Sequence, residues 1–306
     1  MRKRKPGQMQ TKQQILELLS SAGVRPNKRL GQHFLIDLNL MRLLVELAQI
    51  TGDDIVLEVG CGTGSLTQAL AERAGYVIAV ELDEAVAKIA ERELSEAKNV
   101  EIIIADILAK KSIISGAVAD ALKHSREKYT GRVLLVANLP YSVASVVILN
   151  LVMGDIPADG MYVTVQKEVA ERMTAAAGSK DYGTLSIFLG AAGEVKIERI
   201  LKPSVFWPQP RVDSAMVSFV RKAEKVGRIK NMEVLREVVN LFMGHRRKML
   251  KGCTRFSTGR LAEIDNWDEI FERCAIDHHK RPEQVLPEGY IAIANLCSEY
   301  LKFEAE

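Results

Sequence analysis

The stretch "VLEVGCGTGSLTQAL", residues 56–70, places a short apolar run, three glycines and a helical pattern in immediate succession. Gly60, Gly62 and Gly64 thus occupy the turn between a buried strand and the helix that follows it. Glycines there let the backbone approach a ligand closely, beside the strand ends where open α/β sheets bind nucleotides. Outward from this turn the pattern repeats. Strand-type runs "IVLEV" (55–59), "YVIAV" (76–80), "VEIII" (100–104), "RVLLVA" (132–137) and "MYVTVQ" (161–166) punctuate the chain. Helical patterns fall near 64–74, 83–97, 112–129, 142–153, 167–177 and 183–191. Continuous apolar strands separated by helices predict a parallel sheet covered on both faces, a doubly wound α/β domain of Rossmann-like type.

The pattern changes after residue 193. "EVKIERIL" (194–201) and "SAMVSFV" (214–220) are joined by "KPSVFWPQPRVD", too short for a crossover helix, so antiparallel pairing is expected. Beyond Lys222 only helical patterns remain, at 231–243, 245–251, 266–275 and 287–302. At the other end, residues 1–10 read as a flexible arm. Ile15, Leu18, Leu19 and Ala22 then share a helical face, and Asp37 reads as the N-cap of a helix running to about Ile50. The expected organisation is a basic arm and helix over 1–24, a catalytic domain over 25–221 and a small all-helical domain over 222–306. No internal repeat is visible.

Composition excludes several classes. No apolar run approaches the roughly 20 residues of a membrane span. The basic start "MRKRKPGQMQ" is not followed by a signal-peptide core, so a cytoplasmic protein is expected. Cys61, Cys253, Cys274 and Cys297 lie far apart without CxxC spacing, the pattern of reduced thiols rather than disulfides or a zinc site. The net charge of +3 is unevenly spread: residues 1–30 carry eight Lys/Arg against Glu17 alone. A second run, "GHRRKMLKGCTRFSTGR" (244–260), holds six Lys/Arg and no acid. One such run reads as a solvated face; two in an otherwise slightly acidic chain point to a polyanionic partner.

Three carboxylates end successive strands. Glu58 precedes the glycines, Glu81 closes "VIAVELDE", where it can accept from both hydroxyls of a ribose, and Asp106 lies in "IIIADIL", placed for an adenine amine. Together they indicate an adenosine-containing ligand. A dinucleotide's pyrophosphate favours an unobstructed helix N-terminus, whereas Glu58 suits a cation, and the GxGxG spacing departs from the dinucleotide GxGxxG. S-Adenosylmethionine is therefore the expected cofactor. "VANLPYSVAS" (136–145) follows the fourth strand and so stands at the same rim. Asn138 Oδ1 and the carbonyl of Leu139 or Pro140 can each accept one hydrogen of a nucleobase amine, with Tyr141 stacked on the base. Pro140 fixes the backbone so that the acceptors are preset, and methyl transfer there needs no metal.

With those residues in view, the chain resembles the KsgA-type rRNA adenine dimethyltransferases. The likeness runs through "NKRLGQHFLID", "LEVGCGTGSLT", "VELDE", "ADIL", "NLPYSVAS", "VFWPQPRVDSAMV" and "FMGHRRKML", about residues 25–255. The resemblance implies that His33 and Leu35 contact the cofactor along with Gly60, Glu81, Asp106 and Asn138, and that Phe206 faces Tyr141 across the target adenine. Many relatives carry asparagine where this chain has His33. It further implies dimethylation of two adjacent adenines in the 3′-terminal hairpin loop of small-subunit rRNA, within a precursor subunit, by a monomer. Arg246, Arg247, Lys248, Lys251 and Arg255 would then grip phosphates. An Erm-type enzyme acting on large-subunit rRNA is the nearest alternative. A non-catalytic assembly factor and a nucleotide-dependent oxidoreductase are further ones, disfavoured by the intact acids and by the glycine spacing.

Overall fold

The computed structural model describes residues 9–27, 31–110 and 113–301. The basic residues Arg2, Lys3, Arg4, Lys5, Lys28 and Arg29 lie outside them. Seven strands form the central sheet: β1 Ile55–Val59, β2 Tyr76–Glu81, β3 Val100–Ile104, β4 Val133–Asn138, β5 Gly160–Gln166, β6 Gly193–Leu201 and β7 Ser214–Arg221. Their order is β3-β2-β1-β4-β5-β7-β6. β1 through β5 pair in parallel and β7 runs antiparallel to β5. β6 is the edge neighbour of β7.

The apolar runs explain the sheet. Val56, Leu57, Val77, Ile78, Leu134, Leu135 and Val136 are fully buried, as strands covered on both faces must be. Helix Leu38–Leu47 covers one face with Leu40, Met41, Leu44 and Val45, and Asp37 caps it by accepting from the Asn39 and Leu40 amides. Below the sheet, Asp54 of the loop entering β1 accepts from the Arg132 amide and guanidinium at 2.8 and 2.7 Å, tying the starts of β1 and β4. The chain runs outward from β1 to β3 and then crosses to the other side of β1 at β4. That reversal opens a crevice at the carboxyl ends of β1 and β4, where such sheets bind ligands.

Two compact units emerge. One takes the described residues up to Ala170 together with Lys196–Val220; the other takes Glu171–Val195 and the chain from Arg221 on. In the second, helices Thr184–Ala192, Met232–Gly244 and Pro287–Tyr300 pack on one another. Phe242 sits among Trp267, Phe271 and Tyr290 at its centre. This differs from the division at 221/222. Residues 171–195 keep a helical period but bury their apolar face, including Tyr182 and Phe188, among the C-terminal helices. Three local readings also change. Met9 and Gln10 are buried rather than part of the arm. Leu108–Lys110 and Ile113–Ile114 form a small ribbon ahead of helix Gly116–Lys128. The helix expected over 245–251 is a turn followed by Leu250–Cys253. Among the described residues no helix is long and apolar enough to cross a membrane.

Candidate active site

A cleft of about 210 Å³ opens at the β1/β4 reversal. Its lining includes His33, Leu35, Glu58, Gly60, Gly62 and Glu81 on one side of the sequence pattern and Asp106, Asn138, Leu139, Pro140 and Tyr141 on the other. The fold thus brings together every cleft residue named from sequence except Phe206.

The glycine turn is required as written. Gly60 and Gly62 have φ of 80° and 58°, the left-handed region that favours glycine. A Cβ on Gly60 would stand 3.0 Å from Pro140 Cγ, and one on Gly62 would stand 2.9 Å from Phe34 Cε1. The turn is held from two directions. The Gly60 amide donates to the Val80 carbonyl at 2.8 Å, and the Gly62 amide to Glu81 Oε2 at 2.9 Å. From the N-terminus, buried Gln10 donates to the Thr63 carbonyl, accepts from the Thr63 hydroxyl, and gives its own amide to Ser65 Oγ at 2.8 Å.

The carboxylates differ in environment. Burial raises the Glu81 pKa, partly countered by hydrogen bonds from the Asp83 and Gly62 amides. Burial pushes Glu58 further, to about 8, with the Glu81 charge adding to it and the nearby Thr67 hydroxyl opposing it. Glu58 Oε2 finds no hydrogen-bond partner among the described residues. A buried, unpartnered acid lining a cleft fits a ligand carrying positive charge and conflicts with a pyrophosphate. Asp106 is exposed at the rim, where Oδ1 accepts from the Leu108 amide at 2.9 Å. Leu82, 49% exposed, and Ile107 supply apolar cleft surface next to the two rim acids. The donor set, with paired acids, apolar rim and orphaned carboxylate, fits S-adenosylmethionine.

At the β4 end the Asn138 side chain is fixed at both atoms. Nδ2 donates to the His33 carbonyl at 2.7 Å, and Thr164 Oγ1 donates to Oδ1 at 2.5 Å. Oδ1 keeps a second lone pair. The Pro140 carbonyl accepts from the Val143 amide at 3.2 Å, which uses one of its two lone pairs and favours the Leu139 carbonyl as the acceptor of a substrate amine. The Tyr141 hydroxyl bonds to Ser214 Oγ at 2.6 Å, and its ring lies against His33 with centroids 5.5 Å apart and 30° between planes. The His33 ring is itself anchored, Nδ1 donating to the Pro208 carbonyl at 2.7 Å.

Phe206 is elsewhere. It pairs with Leu35 in a two-residue antiparallel ribbon, and strand alternation sends both side chains into the core while Phe34 and Trp207 stack on the opposite side. Phe206 is 1% exposed, within the cluster that holds Leu35, Met41 and Met216. The aromatic neighbour of Tyr141 here is His33. Sequence reasoning missed Thr164 and Gln10. Thr164 carried only one signal, a hydroxyl within an apolar strand adjacent to the Asn138 strand; Gln10 carried none.

The second basic run also divides. Arg246 points inward, donating to the carbonyls of Ser179 and Lys180 at 3.2 and 2.9 Å and pairing with Glu283 at 3.5 Å. Lys251 pairs with Asp268 at 2.7 Å. Arg247, Lys248 and Arg255 are exposed with no carboxylate partner among the described residues.

Residues 23–279 match the model of the family described as ribosomal RNA adenine dimethylase. The chain is 33% identical over 288 residues to ribosomal RNA small subunit methyltransferase A of Geobacillus sp., covering 93% of this chain and 96% of that one. To the protein of the same name in Alkaliphilus oremlandii it is 36% identical, with the same coverage. The crystal structure of a dimethyladenosine transferase from Plasmodium falciparum superposes with a TM-score of 0.68 at 20% identity, over 86% of this chain and 97% of that one. That of the 23S rRNA methyltransferase ErmE gives 0.60 at 22%, over 88% and 100%, a likeness of fold. The chain belongs to the ribosomal RNA adenine dimethylase family.

Proposed function

We propose that this protein dimethylates the N6 amines of two adjacent adenines in the 3′-terminal hairpin loop of small-subunit rRNA, on a precursor of the small ribosomal subunit in the cytoplasm. The observation that carries the reading is the pairing of near full-length likeness to small-subunit methyltransferases with an amide-and-carbonyl cradle opening on an adenosine-type cleft. S-Adenosylmethionine supplies, when bound, an electrophilic methyl group on a cationic sulfur.

The chain's residues do the rest by positioning. Glu81 and Asp106 hold the ribose and adenine ends of the cofactor, while Glu58 meets its positive charge. Asn138 Oδ1 and the Leu139 carbonyl each accept one hydrogen of the target amine, which leaves the nitrogen lone pair directed away from them. Thr164 and the His33 carbonyl keep the Asn138 amide from turning, so its acceptor faces the cleft before substrate arrives. Preset acceptors of this kind act without reorganisation. Tyr141 stacks on the base, which reaches the cleft only from a single strand or flipped out of a duplex. Arg247, Lys248 and Arg255 grip phosphates.

The test is to incubate the protein with methyl-labelled S-adenosylmethionine and immature small or large ribosomal subunits, then map the label. Two adjacent dimethyladenines near the small-subunit 3′ end support the reading. Label on the large subunit, or none, overturns it.

A further inference from the structure

One feature of the helical unit has no place in that reading. His245 closes helix Met232–Gly244, where its ring is fixed by Nδ1 donating to the Leu241 carbonyl at 2.9 Å. Phe256 lies flat on it, ring centroids 4.0 Å apart and planes 15° from parallel. Phe256 is held from its own side as well. It ends a 3₁₀ turn in which the Ser257 amide and hydroxyl both donate to the Thr254 carbonyl, and the Thr254 hydroxyl donates to Lys251. Both rings are therefore set in place by local structure, yet Phe256 remains 42% exposed.

The surroundings are cationic. Lys248 Nζ stands 5.2 Å from the Phe256 centroid, and Arg247 and Arg255 flank the pair in sequence. Backbone hydrogen bonds add a second segment: the Leu250 amide donates to the Lys280 carbonyl at 2.9 Å and the Lys251 amide to His278 at 3.1 Å. This brings Lys280 and Arg281, both exposed, to the same surface as the first run. The acids nearby, Asp268 and Asp277, are paired with Lys251 and His279.

An exposed aromatic ring backed by a second ring, with cations that have no carboxylate partner among the described residues around it, is the arrangement that binds single-stranded nucleic acid. Every base has a π-face to stack, and the cations take the phosphates on either side. We propose that the Phe256–His245 stack is a platform for one unpaired nucleobase of the RNA substrate, with Lys248 leaving the ring for a flanking phosphate when the base arrives. The proposal rests on the reading of the basic surface as an rRNA contact and adds an occupant of stated chemistry.

Binding of the full chain is measured over a range of salt to a hairpin-free oligoribonucleotide and to the same strand annealed to its complement. Phe256→Leu should weaken single-strand binding about tenfold, the scale of one base–aromatic stack. Its salt slope should stay at the wild-type value, because stacking releases no counterions. Duplex binding should not change, and Phe256→Trp should restore the single-strand affinity with an indole emission quenched on binding. Equal loss on single strand and duplex overturns the platform. So does unchanged single-strand affinity in Phe256→Leu while Arg247→Glu, Lys248→Glu and Arg255→Glu weaken binding, in which case the phosphate-gripping role stands. If neither set has any effect, both ideas fall.

Discussion

Thr164 on β5 donates its hydroxyl to Asn138 Oδ1 on β4 across a parallel register in which the two residues are direct partners. The His33 carbonyl settles which end of the Asn138 amide is the acceptor, since it can only accept and so takes Nδ2, which leaves Oδ1 to the Thr164 hydroxyl. Thr164→Val keeps the shape and removes the hydroxyl. Losing one hydrogen bond of about 1 kcal/mol should lower kcat by about fivefold. The KM for S-adenosylmethionine should stay near the wild-type value. Asn138→Ala should abolish transfer while calorimetry still detects cofactor binding. Equal loss of kcat and of cofactor affinity in Thr164→Val would instead mean that the hydroxyl supports the whole cleft.

Glu58 makes cofactor binding a proton-linked event. Burial raises its pKa to about 8, so the free protein carries a neutral carboxyl at pH 7. A cation beside it favours the carboxylate, so binding at pH 7 should release close to one proton. Affinity should climb with pH between about 6 and 8 and then level. The sign for folding is opposite: a carboxyl raised in the folded state stabilises fully below its unfolded pKa, and that contribution is lost as pH rises through about 8. Calorimetry in buffers of different ionisation enthalpy reads the proton count. Glu58→Gln, which shares any titration of the ligand itself, should release none from this site.

Much of this was legible in the sequence, and the parts that were not share a cause. β1 to β5 are read from continuous apolar runs because a strand buried on both faces leaves no alternation to misread, and the helices between them imply that they pair in parallel. Glu58, Glu81, Asp106 and Asn138 converge because each ends a strand on the same rim. Phe206, Arg246 and residues 171–195 were misplaced because sequence gives a residue's period and not its neighbours. Phe206 alternates inward only because Leu35 lies opposite it. Arg246 turns inward only because the carbonyls of Ser179 and Lys180 come within reach. Gln10 is hidden for the same reason, since Thr63 and Ser65 are more than fifty positions away.

Gln10 should behave as part of the cofactor turn. It is 1% exposed and satisfies polar groups of Thr63 and Ser65 that are themselves buried. Gln10→Ala takes the partners from the Thr63 carbonyl and hydroxyl, while the backbone amide at position 10 still reaches Ser65 Oγ, and each buried group left unpaired costs about 1–3 kcal/mol. The expected result is a loss of unfolding free energy on that scale, read by denaturant titration. Cofactor affinity should fall with it, by about tenfold, because the loosened turn carries Gly62 and its contact to Glu81. Substitution of exposed Gln13, whose side chain bonds to Glu17, should leave both quantities at wild-type values.

Arg246 and Arg247 are adjacent in sequence and should fail in different ways. Arg246 is bound to two carbonyls and to Glu283 within the helical unit, so Arg246→Ala removes three partly exposed contacts and should lower stability by about 1 kcal/mol. Arg247 is exposed and carries no carboxylate partner among the described residues, so Arg247→Glu should leave the unfolding free energy within about 0.5 kcal/mol. Its cost should appear in rRNA binding: each lost phosphate contact lowers the slope of log affinity against log salt by about 0.7–0.9. Thermal unfolding beside salt-dependent binding to the small-subunit precursor separates the two residues. A flat salt response in Arg247→Glu would return that side chain to the solvated face, and an undisturbed Arg246→Ala would mean that the Ser179, Lys180 and Glu283 contacts contribute nothing to folding.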